Sequence, residues 1–187
     1  MKTIIYNSIA IFSLFICFIS CKAQTLPLNT ALNNIPNNAY VKDLDNQLAP
    51  FIGTYKANSQ GKEIILIITK VDNKLEIRSK KQFFRDALIV KYIIKNSLGQ
   101  ILQDTTNDDS VEFYSIDFSA GQNKVGFYYG GTNCGVGWGD VDLKKINSTQ
   151  LSWAYYPDDT IINSNKCPSG TDINIYLPQE NLIFTKQ

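Results

Sequence analysis

The sequence contains no histidine. That absence removes Ser-His-Asp and Cys-His nucleophilic catalysis, HExxH metalloprotease chemistry and almost every imidazole metal site. Glutamate is scarce too: Glu63, Glu76, Glu112 and Glu180 are the whole set, and many aspartates sit in turn clusters such as Asp108-Asp109 and Asp158-Asp159. A converging carboxylate pair for glycoside hydrolysis therefore has few sources, because turns favour aspartate for local hydrogen bonds. There is no excess of charge. Eighteen basic residues, less the Lys2 of a leader, equal the seventeen acidic ones, so the chain has no field that would draw a nucleic acid. No long apolar run exists either. The longest, Ile9 to Ile19, is interrupted only by Ser13, and as a helix it would cover about half of a roughly 30 Å hydrocarbon core.

Several short matches lose their meaning in context. Ser59-Gln60-Gly61-Lys62 spells S-x-x-K, but it lies on a glycine turn and has no Ser-Asp-Asn or Lys-Thr-Gly partner. Asp140 and Asp142 share one strand face without EF-hand spacing and read as a solvated face. Lys124 to Phe127 resembles an RNA-binding strand only in letters, since the charge balance is neutral. The expectation is a non-enzyme with no cofactor and no metal.

The segment 1–20, with Lys2 ahead of its apolar run, reads as an export signal. It ends in Phe18-Ile19-Ser20-Cys21, which resembles a bacterial lipobox with Phe18 in place of the usual leucine. The resemblance implies acylation of Cys21, membrane contact through that lipid anchor only, and a cell-envelope address as a periplasmic or outer-membrane lipoprotein. Cys21-Lys22-Ala23 is also an acceptable small-x-small cleavage site, which would make the protein secreted. Residues 21–38 then read as a linker, because Thr25 to Asn38 has Pro27, Pro36 and five asparagines but no charge.

Residues 39–187 suit one domain. Apolar residues alternate in LEIR, VEFYSIDF, KVGFYY, DVDLKKI, QLSWAYY, INIYL and NLIFTK, while EIILIIT is apolar on both faces. Turn residues at Asp72, Asn96, Thr105, Ala120, Asn147 and Tyr156 separate them. The pattern predicts an all-β, antiparallel up-and-down barrel of about eight to ten strands, with a β-sandwich as the alternative. One short N-terminal helix is expected over AYVKDLDNQLA, where Tyr40, Leu44 and Leu48 fall at i, i+4 and i+8 before Pro50. That helix followed by PFIGTYKA resembles the entry to a lipocalin-type barrel, with Gly53 and Tyr55 where that family carries Gly-x-Trp. The tail YLPQENLIFTKQ and the SCKAQ junction are similar to those of an uncharacterised lipocalin-like, calycin-type lipoprotein family of flavobacterial type. The resemblance implies a barrel that has room for an internal cavity, and no particular ligand.

GGTNCGVGWGD, Gly130 to Asp140, joins strand to strand, has Asp140 where a dinucleotide fingerprint needs its third glycine, and is not followed by Gly-Lys-Ser/Thr. It is a turn, not a phosphate cradle. Cys17 leaves with the signal, so Cys134 and Cys167 remain, and in an oxidising compartment they are expected to pair. Two free buried thiols, or half of a zinc site, are the other readings. Phe127, Tyr129, Trp138, Trp153 and Tyr155 are the candidate ligand-binding residues, for a small apolar or amphipathic molecule inside the barrel or stacked at its mouth. A packed core is the competing role for each. The function expected is therefore an exported, anchored, non-catalytic binder. The alternative is a protein-interaction, envelope-assembly or inhibitor module with a filled barrel, an unidentified protein partner and a binding loop at residues 130–140.

Overall fold

Two-residue alternation closes on itself here. The computed structural model describes residues 24–162, 165 and 167–187; the leader and Cys21 lie outside the described residues. Its strands are β1 (Thr25–Pro27), β2 (Tyr40–Lys42), β3 (Gly53–Ser59), β4 (Lys62–Arg78), β5 (Lys81–Lys95), β6 (Ile101–Asp104), β7 (Phe113–Ser119), β8 (Lys124–Tyr129), β9 (Gly139–Lys145), β10 (Gln150–Pro157) and β11 (Leu182–Lys186). β3, β4, β5, β7, β8, β9, β10 and β11 pair antiparallel in chain order. β11 returns to β3 at Thr185↔Lys56, and β5 meets β7 at Ile89↔Tyr114. This is a closed eight-strand up-and-down barrel with extra strands, not a sandwich. Closure leaves its central strands without free edges.

β5 is long enough to need three partners on one side. β2 joins it in parallel at Tyr40↔Phe84, β7 meets it at Ile89, and β6 pairs with it from Ile93 to Lys95. β6 and β7 follow the same line along β5, and residues 105–112 swing out between them. Thr105 fixes the start of that excursion: the Tyr92 amide donates to its hydroxyl at 2.8 Å, and its own amide donates to the Tyr92 carbonyl at 2.9 Å.

Four local expectations are corrected. The helix over residues 39–49 does not form. Tyr40–Lys42 is β2, and a short 3-10 helix, Ala49–Phe51, follows a turn. The open edge of β5 offers backbone partners to this segment. Asp43 then takes the Gln47 and Leu48 amides at 2.6 and 3.2 Å, a side-chain turn that competes with helix. The linker over 21–38 is, from Gln24 onward, a strap packed on the barrel. Its asparagines and prolines make turns, while Leu28, Ile35 and Ala39 are buried. INIYL is irregular, because β10 already has β9 and β11 on its two edges and leaves no pairing position. The turn expected at Asp72 is instead a bulge inside β4, with Val71↔Ala87 and Lys74↔Arg85 on either side of it.

A buried polar link holds the strap and this bulge to the barrel. The Asp86 carboxylate accepts the Tyr40 hydroxyl, the Asn73 amide at 3.0 Å and the Asp43 amide at 3.0 Å. The Lys70 ammonium lies 3.4 Å from Asp43 and 3.9 Å from Asp86. Burial alone would raise the Asp86 carboxyl, but the bonds from Tyr40, Asp43 and Asn73 and the Lys70 charge hold it below the usual carboxylate range.

Inward positions fill the barrel. Tyr55, Leu66, Ile68, Val90, Tyr92, Phe113, Val125, Phe127, Val141, Leu143, Leu151, Trp153 and Phe184 are all buried, each stabilising the fold by about 2 kcal/mol through apolar burial.

Candidate functional site

The loops cluster at one end of the barrel, where the β3–β4, β5–β6, β8–β9 and β10–β11 connections meet. The glycine loop is the best fastened of them. Thr132 and Val136 exchange backbone hydrogen bonds at 3.2 and 2.9 Å across a tight turn. Gly131 has φ +76°, and an added Cβ there would stand 2.6 Å from the Val136 carbonyl oxygen; only glycine fits that approach. Cys134 and Cys167 form a disulfide with Cα atoms 5.4 Å apart, linking this loop to the long β10–β11 connection. The same two segments are joined by Asn133 Nδ2 to the Asp172 carbonyl at 2.7 Å and by Thr160 Oγ1 to the Gly135 carbonyl at 3.1 Å. Trp138 folds back so that its indole N–H reaches the Asp159 carbonyl at 3.1 Å, leaving the ring 38% exposed.

The other four candidate ligand-binding residues form the barrel's core. Phe127, Tyr129, Trp153 and Tyr155 are buried, and their rings pack with those of Tyr92, Phe113 and Phe184. The Tyr129–Tyr155 and Trp153–Tyr155 centroids are both 6.0 Å apart, and Phe113–Tyr129 are 5.0 Å apart, distances at which aromatic rings attract beyond simple area burial. The buried hydroxyls are satisfied internally. Those of Tyr92 and Tyr129 meet at 2.6 Å, Tyr92 donates to Gln103 Oε1 at 2.9 Å, and the Tyr155 hydroxyl donates to the Gly137 carbonyl. Burial pushes all three phenols above the ordinary tyrosine range, so they stay neutral. Five grooves outlined by the described residues are all lined by other side chains.

Two of these grooves lie at the loop end. A groove of about 460 Å³ runs between the residue 105–112 excursion and the disulfide loop, walled by Gln103, Thr132, Asn133 and Tyr176. Asp104, Asp108 and Asp172 also line it, and its lining has no lysine or arginine. Hydrogen bonds from Thr106, Ser110 and Tyr176 respectively hold these three carboxyls below the usual range, so they stay charged at neutral pH. A second groove, of about 440 Å³, lies beside it between the β3–β4 turn and residues 175–180.

The remaining sequence matches are dispersed. Ser59 donates to Glu180 while Lys62 lies over the Tyr176 ring, so the S-x-x-K letters make no nucleophile–base pair. Asp142 is paired with Lys124 at 3.0 Å. Two features were missed at the sequence level: the acidic groove, which brings Asp104 and Asp108, at and just after the end of β6, together with Asp172 from the β10–β11 connection, and the Asp43–Asp86–Lys70 link. Asp86 alone gave a signal, as a carboxylate inside the apolar run FFRDALIV.

A family model matches the chain from residue 1 to residue 187. The chain belongs to DUF6705, a family of unknown function. No curated protein and no solved structure matches it. The surface of this DUF6705 member is therefore read from its own geometry: a filled barrel, a loop end tied by a disulfide, and an open groove with negative charge.

Proposed function

We propose that this protein is an exported, lipid-anchored, non-catalytic binding module that engages a protein partner at the loop end of a filled barrel. One observation carries this reading: the lumen is occupied by the protein's own rings, so an apolar guest there would have to displace Phe127, Tyr129, Trp153 and Tyr155. Of the two functions considered, this favours the interaction module over the lumenal carrier. Within this reading the barrel is of lipocalin-like type, supported by its eight strands in up-and-down order, and its binding surface lies outside.

The disulfide and the bonds around Gly131 and Trp138 support a preorganised binding surface, which lowers the ordering cost of association. The acidic groove favours a partner segment bearing lysine or arginine, through electrostatic complementarity. The test is site-specific photo-crosslinking in the native cell, with the reactive residue at position 138 or, as a control, at the exposed outer-wall position 183. A discrete protein adduct at 138 and none at 183 is expected. Equal labelling at both positions, or none at 138, contradicts the reading.

A further inference from the structure

The lumen-facing columns of β4 and β5 continue past the barrel. Ile68 and Val90 face inward, and beyond the bulge the pairing Leu75↔Phe84 and Ile77↔Gln82 keeps Leu75, Ile77 and Phe84 on that same face. At the bulge the apolar residues of this face give way to charged Lys70 and Asp86, with Asp43 3.4 Å from the Lys70 ammonium. Leu75 is consequently 46% exposed and Ile77 72%, two aliphatic side chains on an inward face with no interior left to enter. They stand on a projecting arm whose tip is basic. Ser79 and Lys80 make its turn with φ of 51° and 63°, between Arg78 and Lys81. Lys81 is committed to the carbonyls of Leu32, Asn33 and Ile35 and the Lys74 ammonium lies 3.6 Å from the centre of the Tyr114 ring, which leaves Arg78 and Lys80 at the tip of the arm and Lys42 on neighbouring β2, against Asp45 and Asp72.

The start of the described chain lies close to this arm. Thr25↔Tyr40, Tyr40↔Phe84 and Phe84↔Leu75 form one row across β1, β2, β5 and β4, so the row spans three strand spacings, roughly 14 Å. Cys21 precedes Gln24 by three residues, a reach of about 10 Å when extended. Resting on the reading of Cys21 as an acylated anchor, we propose that the β4–β5 arm lies on an anionic phospholipid surface, with Leu75 and Ile77 in the interface. Apolar side chains bracketed by lysine and arginine are the chemistry that binds such a surface. The disulfide-tied loops, at the opposite end of the strands, then point away from the membrane.

The test uses the full chain in phosphatidylethanolamine–phosphatidylglycerol vesicles containing a dibrominated phosphatidylcholine. Tryptophan is placed by Ile77→Trp or by Ile161→Trp, the latter at a 91% exposed position in the β10–β11 connection, and Trp138 and Trp153 of the parent set the baseline. Bromolipid is expected to quench the Ile77→Trp reporter at least twofold more than the Ile161→Trp reporter. The double variant Leu75→Asp/Ile77→Asp, exposed at both sites, is expected to keep its near-ultraviolet circular dichroism and to reduce vesicle association severalfold when Cys21→Ala removes the anchor. Equal quenching at the two positions, or none at 77, overturns the proposal. The N-terminal mass reads the anchor separately: an acylated chain without quenching at 77 overturns the arm alone, while an unacylated chain overturns the anchor and still reports the arm by the same quenching.

Discussion

The Asp86 carboxylate on β5 accepts the backbone amide of Asn73, in the bulge of β4, at 3.0 Å. A side chain thus takes over the role of the ladder where the ladder breaks, and the same carboxylate holds the strap through Tyr40 and Asp43. Asp86→Ala leaves these donors without an acceptor and is expected to lower stability by about 3 kcal/mol in urea unfolding. Because the folded carboxyl is held below its ordinary value, its contribution is complete above the unfolded value of about 3.9 and is lost as pH falls through the folded one. Acid unfolding of Asp86→Asn should therefore be less steep below about pH 4 than that of the parent.

Glu76 and Arg85 form a buried ion pair at 3.4 Å, each residue only 4% exposed, in which Glu76 Oε1 and Arg85 Nε have no hydrogen-bond partner. Burial raises the Glu76 carboxyl despite the nearby charges of Arg85, Lys74 and Arg78. Arg85→Met strands that carboxylate and is expected to cost about 3 to 5 kcal/mol at neutral pH, whereas Arg85→Met/Glu76→Leu should return to within about 1 kcal/mol of the parent. The sign with pH is opposite to that of Asp86. A raised folded pKa contributes stability that is present below the unfolded value and is lost as pH rises through the folded one, so the deficit of Arg85→Met should shrink on acidification. A double-mutant cycle at two pH values measures both effects.

The disulfide joins Cys134 to Cys167 across a sequence separation of 33. Cys134→Ala/Cys167→Ala is expected to lose about 3 to 4 kcal/mol by the chain-entropy argument, while the near-ultraviolet signal of buried Trp153 is preserved. Loss of that signal would mean that the bridge shapes the barrel itself and not only its loops.

Trp153 sits among Phe113, Tyr155 and Phe184 and donates its indole N–H to the Pro178 carbonyl at 2.8 Å. Trp153→Ala should cost about 3 to 5 kcal/mol in denaturant unfolding through the cavity it leaves. A cost below about 1 kcal/mol would show that this ring is not part of a packed core.

Much of the barrel was legible because strands half-buried in a closed sheet must alternate. KVGFYY and QLSWAYY each send every second residue inward as their letters suggest. Periodicity misled where a tertiary partner outweighed it. Tyr40, Leu44 and Leu48 have helical spacing, yet the edge of β5 claims Tyr40 and leaves Leu44 57% exposed. The asparagine- and proline-rich start looked like a tether because turn residues carry no sign of what they pack on; Leu28 and Ile35 were the apolar contacts hidden among them. Cys134 and Cys167 were paired by counting, whereas the acidic groove needs three loops brought together and leaves no local trace.

The most direct test of the filled barrel is native mass spectrometry of the mature protein purified from its own cells without added detergent. The expected spectrum is that of the chain with its covalent modifications, lighter by two protons for the Cys134–Cys167 bridge and carrying no non-covalent guest. A reproducible additional mass that disappears on unfolding would contradict it and make the protein a carrier.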